Sequence, residues 1–360
     1  MTSGQPPGQE TPGTQPSGTE SPGTGPSPGG RSSPALLRGL TWPPPALRGP
    51  RPARAVRLQE FAIVGVCLAL FIGLTVASPA FLTGQNIRNI LDQNSALGII
   101  ACGETIVIIS GSFDLSVGAI YAVAGIIAVI LSNQVGPAAG IAAAIGCGLV
   151  LGALNGAFVV FGRVHSFIAT LASQYIFNGL ALVISGGLII QSRRAGFAVI
   201  GQYLTGGVNV TIWILAVVVI VTALLLGRTT WGRHVFAVGG NQEAARLSGI
   251  RVSYVRGSVF ALSGTAAALA GVIAASRVGT AQAGTGTGLE LAAIATTVLG
   301  GTSIFGGEGA IWRTVLGVLL IAMIGNGFNL LSLSATYQQV VEGVLIILAV
   351  TVDAYTRLRR

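Results

Sequence analysis

WGRHVFAVGGNQEAARLSGI (231–250) is the longest water-compatible run between hydrophobic stretches in a chain otherwise built for lipid. Its second half has the makings of a short helix. The side-chain oxygen of Asn241 can accept from the free N–H groups of a first turn. Glu243 then falls where the helix dipole favours a negative charge, and Gly249 can take the left-handed conformation that ends a helix. A helix of about seven residues is unstable alone in water. It needs a surface to dock on, so residues 228–252 read as a loop that meets a partner.

What surrounds this run sets the fold class. Only 9% of the 360 residues are charged, 51% are hydrophobic, and the mean hydropathy is +0.76. No soluble class fits those values, and the chain reads as an all-α polytopic membrane protein. All 20 basic residues are arginine. Without lysine there is no Walker A loop, so any ATP is bound by another polypeptide and no cofactor is expected on this chain. The net charge of +9 does not indicate nucleic acid, because the arginines flank apolar spans instead of forming one basic face. Cys67, Cys102 and Cys147 lie within apolar segments without metal-ligand spacing, which suits packing.

Residues 1–57, rich in Pro, Gly, Ser and Thr, cannot bury enough surface to fold and are expected to form a disordered cytoplasmic tail. Its arginines at 31, 38, 48, 51, 54 and 57 are attracted to anionic lipid. The membrane domain follows over 58–357. About ten stretches match a ~30 Å hydrocarbon core: roughly 60–79, 88–110, 115–133, 137–161, 166–187, 211–227, 253–276, 288–305, 314–332 and 337–355. With a cytoplasmic tail and every span crossing, sixteen arginines fall inside and four outside (Arg88, Arg193, Arg194 and Arg277). The positive-inside rule requires that bias. Both termini and the loop 228–252 are therefore expected in the cytoplasm. The 53 glycines suit close helix packing in lipid.

SGSFDLSVG (110–118) and GGTSIFGGEG (300–309) are both Gly/Ser-rich breaks with one carboxylate, at comparable places in the two halves. Duplicated halves are one reading of this, and chance composition is the other. Carboxylates within the spans are Asp92, Glu104, Asp114, Glu290 and Glu342. Such groups are costly in lipid and tend to be functional. Asp114 can equally cap a helix start at Ser116 and Val117. Glu104 and Glu290 keep a proton-coupled carrier open as a reading. His165 and His234 suit interfacial packing, and nothing resembles a metal cluster or a nucleophile triad, so an enzyme is not expected. Asn94, Asn178, Asn326, Asn329, Gln174, Gln338 and Gln339 offer both donors and acceptors, as a neutral hydroxylated solute requires. The expected translocation-path residues are Asn94, Glu104, Asp114, Asn178, Asn326 and Gln338.

Five ordered segments carry a resemblance: ISGSFDLSVGAI (109–120), HSFIATLASQYIFNGLALVISGG (165–187), the opening run 231–250, LGGTSIFGGEGAIW (299–312) and TYQQVVEGVLIILAVTVD (336–353). From about residue 60 to 355 the chain resembles permease subunits of bacterial ABC importers for monosaccharides. The resemblance implies two permease copies in the plasma membrane, about ten spans each. It also implies a cytoplasmic ATP-binding subunit carrying ATP and Mg, and a periplasmic or lipid-anchored sugar-binding protein. It makes 243–249 the coupling helix, seated in a cleft of the ATPase. The coupling residues are then Gly240, Asn241, Glu243, Ala244, Ala245, Arg246, Leu247 and Gly249. Ala244 and Ala245 allow close approach, Leu247 and Ile250 act as apolar anchors, and Gly249 makes the turn. The chain departs from the family pattern at His165, at Trp312–Arg313 and at Asn178. Permeases for a nucleoside, an inositol or a signalling furanose fit the same polar groups.

Overall fold

The computed structural model describes residues 53–358. Of the expected tail, residues 1–52 lie outside the described residues, and helix α1 (Ala53–Ala77) already begins within its last part. The chain continues as α2 (Gly84–Gln93), α3 (Ser95–Ile109), α4 (Val117–Val135), α5 (Pro137–Val160), α6 (Ser166–Ser185), α7 (Val199–Gln202) and α8 (Val210–Arg228). Then come α9 (Thr230–Gly240), α10 (Gln242–Leu247), α11 (Val252–Val278), α12 (Leu289–Leu299), α13 (Ile311–Leu330) and α14 (Ala335–Leu358). Extended structure is confined, among the described residues, to two antiparallel pairings of two residues each. Ile190–Gln191 pairs with Thr280–Ala281, and Leu204–Thr205 with Val208–Asn209.

Among the described residues, six helices, α4, α5, α6, α8, α11 and α13, are long and apolar enough to cross a membrane. Shorter apolar stretches lie at Ile63–Ala77 in α1 and in α3 and α12. Two of the expected spans therefore need correcting. Residues 88–110 are not one span, because Asn86, Arg88, Asn89 and Asp92 make α2 amphipathic, with Ile90 its buried residue. Asn94 then turns its amide back onto the Ile90 carbonyl at 2.8 Å, and α3 starts afresh. The span expected over 288–305 yields only α12, which stops at Gly300 ahead of Gly301 at φ +82°. With 15 and 11 residues, α3 and α12 rise roughly 22 and 16 Å, short of a ~30 Å core. Both are half-helices that continue through breaks.

The centre of the bundle is α11, packed against α5, α4 and α3. Gly148, Gly152 and Gly156 on α5 face Gly257 and Gly264 on α11, so closely that a Cβ at Gly152 would lie 2.3 Å from the Phe260 carbonyl. Lipid provides no hydrophobic drive between helices, and close backbone packing supplies the association instead.

Hydrogen bonds sort the loops into two ends. At one end, Phe113 N–H donates to Ser166 Oγ at 3.2 Å, Gly307 N–H to the Ile109 carbonyl at 2.9 Å, and Arg256 to Ser112 Oγ at 3.3 Å. At the other, Asn133 binds the Gln191 carbonyl at 2.9 Å, Gln202 the Arg277 carbonyl at 3.0 Å, and Arg277 the Asp92 carbonyl at 3.1 Å.

Candidate functional site: a capped helix joined to two broken spans

The opening run forms two helices where its sequence suggested one. In α9, Thr229 Oγ1 accepts from Gly232 N–H at 3.0 Å, and Val235 and Val238 are buried. Trp231 Nε1 donates to Ser258 Oγ of α11 at 2.8 Å. The chain then breaks at Asn241, whose Oδ1 accepts from Ala244 N–H at 2.9 Å, and α10 follows. Such a cap contributes about 1 kcal/mol to a helix. At the far end Gly249 N–H reaches the Arg246 carbonyl at 3.0 Å and Ile250 N–H the Ala245 carbonyl at 3.1 Å, with Gly249 at φ +82°. That paired arrangement satisfies carbonyls a helix end leaves free.

One face of α10 is held from behind. Ala245 is buried in a cluster with Val159, Val235, Val238, Val255 and Val259, and Ile250 packs against the same cluster. Ala245 and Ile250 thus serve the protein's own interior. Ala244, Arg246 and Glu243 point outward, and Leu247 is 78% exposed. Arg246 grips Glu243 with two hydrogen bonds, Nη2 to Oε1 at 2.6 Å and Nε to Oε2 at 3.1 Å. The Arg246 hydrogen bond holds the Glu243 carboxyl below the usual carboxylate range. Since that value is depressed in the folded chain, the pair's contribution is present above the unfolded value of about 4.3 and is lost as pH falls through the folded one. Hydrogen-exchange protection of α10, corrected for intrinsic rates, is therefore expected to stay flat from about pH 6 to 8 and to fall only below about pH 4.

At its start, α10 is tied to the rest of the bundle through glycine. A Cβ at Gly239 would lie 1.7 Å from the Ile109 carbonyl oxygen and 2.8 Å from Gly307 N, while one at Gly306 would lie 2.8 Å from Gly111 Cα. Gly307 N–H donates to that same Ile109 carbonyl. Three backbones, those at 109–111, 239–240 and 306–307, meet here without side chains between them. The ends of α3 and α12 that feed this joint have the same hydrogen bonding. After α3, Ser110, Gly111 and Ser112 donate to the carbonyls of Ile106, Ile108 and Val107 at 3.1, 2.9 and 3.2 Å. After α12, Gly300, Gly301 and Thr302 donate to those of Thr296, Val298 and Thr297 at 2.9, 2.8 and 3.1 Å. Thr105 links the two half-helices, 3.3 Å from Thr297 Oγ1 and 2.7 Å from Thr314 Oγ1. Sequence reasoning singled out both breaks but not their meeting with Gly239. The available signal was the glycine pairs at 239–240 and 306–307.

The expected path residues lie in several places. Glu104 and Asp114 come together and are both enclosed, with Asp114 N–H donating to Glu104 Oε1 at 3.2 Å. Asp114 caps Ser116, accepting from its N–H at 3.0 Å and its hydroxyl at 2.7 Å. Asn326 and Asn86 exchange amide hydrogen bonds at 2.7 and 3.0 Å. Gln338 of α14 lies against Gly325 of α13 and donates to Glu342 at 2.8 Å. Asn94 sits at the α2–α3 junction, and Asn178 is half-buried on α6. Gln174, on the same helix, donates to Glu290 Oε1 at 2.8 Å, joining α6 to α12.

The fold is a bundle of apolar helices with two broken ones, and a short, capped polar helix lies between α9 and α11. Residues 86–350 match the family described as "Branched-chain amino acid transport system / permease component", and the chain belongs to this family of membrane permease components. It is therefore a non-catalytic membrane subunit. It is 41% identical over 307 residues to the ribose import permease protein of Escherichia coli K12, covering 83% of this chain and 95% of that one. It is 42% identical over 296 residues to the ribose import permease protein of Bacillus subtilis 168, covering 81% and 92%. The L-arabinose transport system permease protein of Escherichia coli K12 is 37% identical over 298 residues, covering 82% and 91%. No solved structure matches the chain significantly.

Proposed function

We propose that this chain is the membrane permease of an ATP-driven monosaccharide importer, and that α10 is the helix through which an ATPase drives it. The observation that carries the coupling role is Leu247. It stands exposed on a helix that is capped at both ends, packed from behind and joined through Gly239 to both broken spans. An apolar side chain held that rigidly in the open is suited to a partner's pocket. Glu243 and Arg246 form the charged flank beside it, and Gly240, Asn241, Ala244, Ala245 and Gly249 shape and support it.

The arginine partition supports a cytoplasmic position for α10. Arg233, Arg246 and Arg251 lie on α9, α10 and the turn into α11, and Arg256 reaches the same end of the bundle. The opposite end carries Arg193 and Arg277. Both termini then lie in the cytoplasm. Sugar specificity is inferred from the relatives, which import ribose and transport arabinose. The working assembly has two permease copies, an ATP-binding subunit holding ATP and Mg, and a periplasmic or lipid-anchored sugar-binding protein. Closure of the ATPase pair draws the two α10 helices together, and the joint at Gly239 carries that motion to the breaks after α3 and α12. The stroke must act through differential contacts, because a partner shifts only an equilibrium whose states it distinguishes. Asn94, Asn178, Asn326 and Gln338 are the proposed path residues. The enclosed Glu104 and Asp114 hold the break instead of touching solute.

The test is reconstitution of the permease with its ATPase and binding protein in liposomes loaded with ATP. Uptake of a labelled pentose that requires all three components is the expected result. Uptake by the permease alone, driven by a proton gradient, would establish the secondary-carrier reading in its place.

A further inference from the structure

The chain between α11 and α12 dips into the bundle. Thr280–Ala281 is held by Ile190–Gln191 at the end opposite α10. Further along, the segment meets the first turn of α4. A Cβ at Gly118 would collide with the Gly286 carbonyl oxygen, and one at Gly286 with the Gly118 carbonyl oxygen. The depth of this contact follows from α11. Gly271 lies against the Tyr121 carbonyl, about 10 Å short of the α11 end at Val278. Gly118 is roughly one helical turn further in, so Gly286 sits roughly 15 Å from that end, about half-way through a ~30 Å core. Gln282, Gly284, Thr285, Thr287 and Gly288 of this segment are nevertheless exposed. Irregular backbone is tolerated at such depth only where protein buries it or where it lines a water-filled cavity.

Glu290, buried in the first turn of α12, draws α6 to the same place. Its Oε1 accepts from Gln174 Nε2 at 2.8 Å and from Gly288 N–H at 3.2 Å, and its Oε2 lies against Gly118. Gln174 is only half-buried and makes no other side-chain hydrogen bond among the described residues. Its carbonyl oxygen and second N–H are therefore uncommitted, beside a segment that its own chain leaves open. We propose that residues 282–288 line the solute path near the middle of the bilayer, and that Gln174, aimed by Glu290, contacts the solute and discriminates between sugars. An amide with a free donor and a free acceptor matches a hydroxyl, which is both. Glu290 is a positioning residue: by fixing one amide N–H it fixes where the other N–H and the oxygen point. Gly118 is the small residue that admits the carboxylate. The discrimination rests on the permease reading proposed above, whereas water access to 282–288 is a property of this chain alone.

Water access is tested on the full-length permease in nanodiscs with a charged, water-soluble thiosulfonate. Thr287→Cys is compared with Ile220→Cys, and wild type gives the background from Cys67, Cys102 and Cys147. Ile220, 58% exposed on the apolar α8, is the lipid-facing control. Modification at 287 roughly tenfold or more faster than at 220 is expected, because a thiol reacts as its thiolate and needs water to form it. Equal rates overturn the path, and a disulfide-linked dimer through 287 without modification assigns the segment to contact between two copies. Discrimination is tested in the reconstituted transporter by maximal uptake rates of labelled ribose and arabinose, at concentrations that saturate the binding protein. Gln174→Leu and Glu290→Ala are each expected to change the ratio of the two rates by roughly fivefold. Glu290→Gln, whose amide oxygen still accepts from Gln174, should keep the wild-type ratio. An unchanged ratio in Gln174→Leu overturns the contact, and Gln174→Asn takes its place if the leucine variant does not fold. Wild type that carries neither sugar would refute the monosaccharide reading and not the path, which the labelling decides.

Discussion

Gly239→Ala is expected to lower uptake in the assembled transporter more than tenfold and to destabilise the joint by about 2 kcal/mol or more. Helix propensity alone argues the other way, since alanine in a helix gains about 1 kcal/mol over glycine. Geometry decides the sign. The new methyl group would lie 1.7 Å from the Ile109 carbonyl oxygen and 2.8 Å from Gly307 N. Both are backbone atoms in the breaks after α3 and α12, and neither can rotate away. Either the end of α9 withdraws or the Gly307–Ile109 hydrogen bond breaks, and in both cases α10 loses its hold on the breaks. Gly227→Ala on α8 is the control, because a Cβ at Gly227 meets nothing within 4 Å and the residue lies outside the joint. Uptake and thermal midpoint near wild type are expected for Gly227→Ala. If the two variants behave alike, the joint does not transmit force.

Leu247→Asp is expected to cut ATP-dependent uptake by about thirtyfold while leaving the permease as stable as wild type. A side chain 78% exposed contributes little to folding, and surface substitutions usually stay within about 0.5 kcal/mol. A central apolar anchor in a partner's pocket is worth about 2 kcal/mol or more, hence the size of the effect. Ala245→Asp has the reverse signature, because Ala245 is buried against α9 and α11. It should unfold the α10 region before any partner is involved. Uptake readings together with thermal midpoints separate the two cases.

The caps of α10 are legible in sequence because they are local: Asn241 and Gly249 act through hydrogen bonds within their own turns. Which face of α10 turns inward is not local. Ala244 and Ala245 are equivalent by spacing, and only the apolar patch behind α10 selects Ala245 for burial. The helix α9 is hidden because Gly232, Arg233, His234 and the pair Gly239–Gly240 read as a loop, and tertiary packing of Val235 and Val238 overrides that composition. The long spans are legible from length and apolarity. The half-helices are not, since an apolar count does not register that Asn94 restarts the chain or that Gly301 ends α12. The two breaks are visible in sequence as Gly/Ser-rich segments. Their convergence on Gly239 is a property of three backbones that no single segment encodes.

The most direct measurement of the central claim is photo-crosslinking from position 247 in the transporter assembled with its ATPase. A photoreactive amino acid replaces Leu247 in one sample and Arg193, at the opposite end of the bundle, in a second. The account predicts an adduct with the ATP-binding subunit from position 247 and none from position 193. An adduct from 193 but not from 247, or one from 247 to the sugar-binding protein, would contradict it.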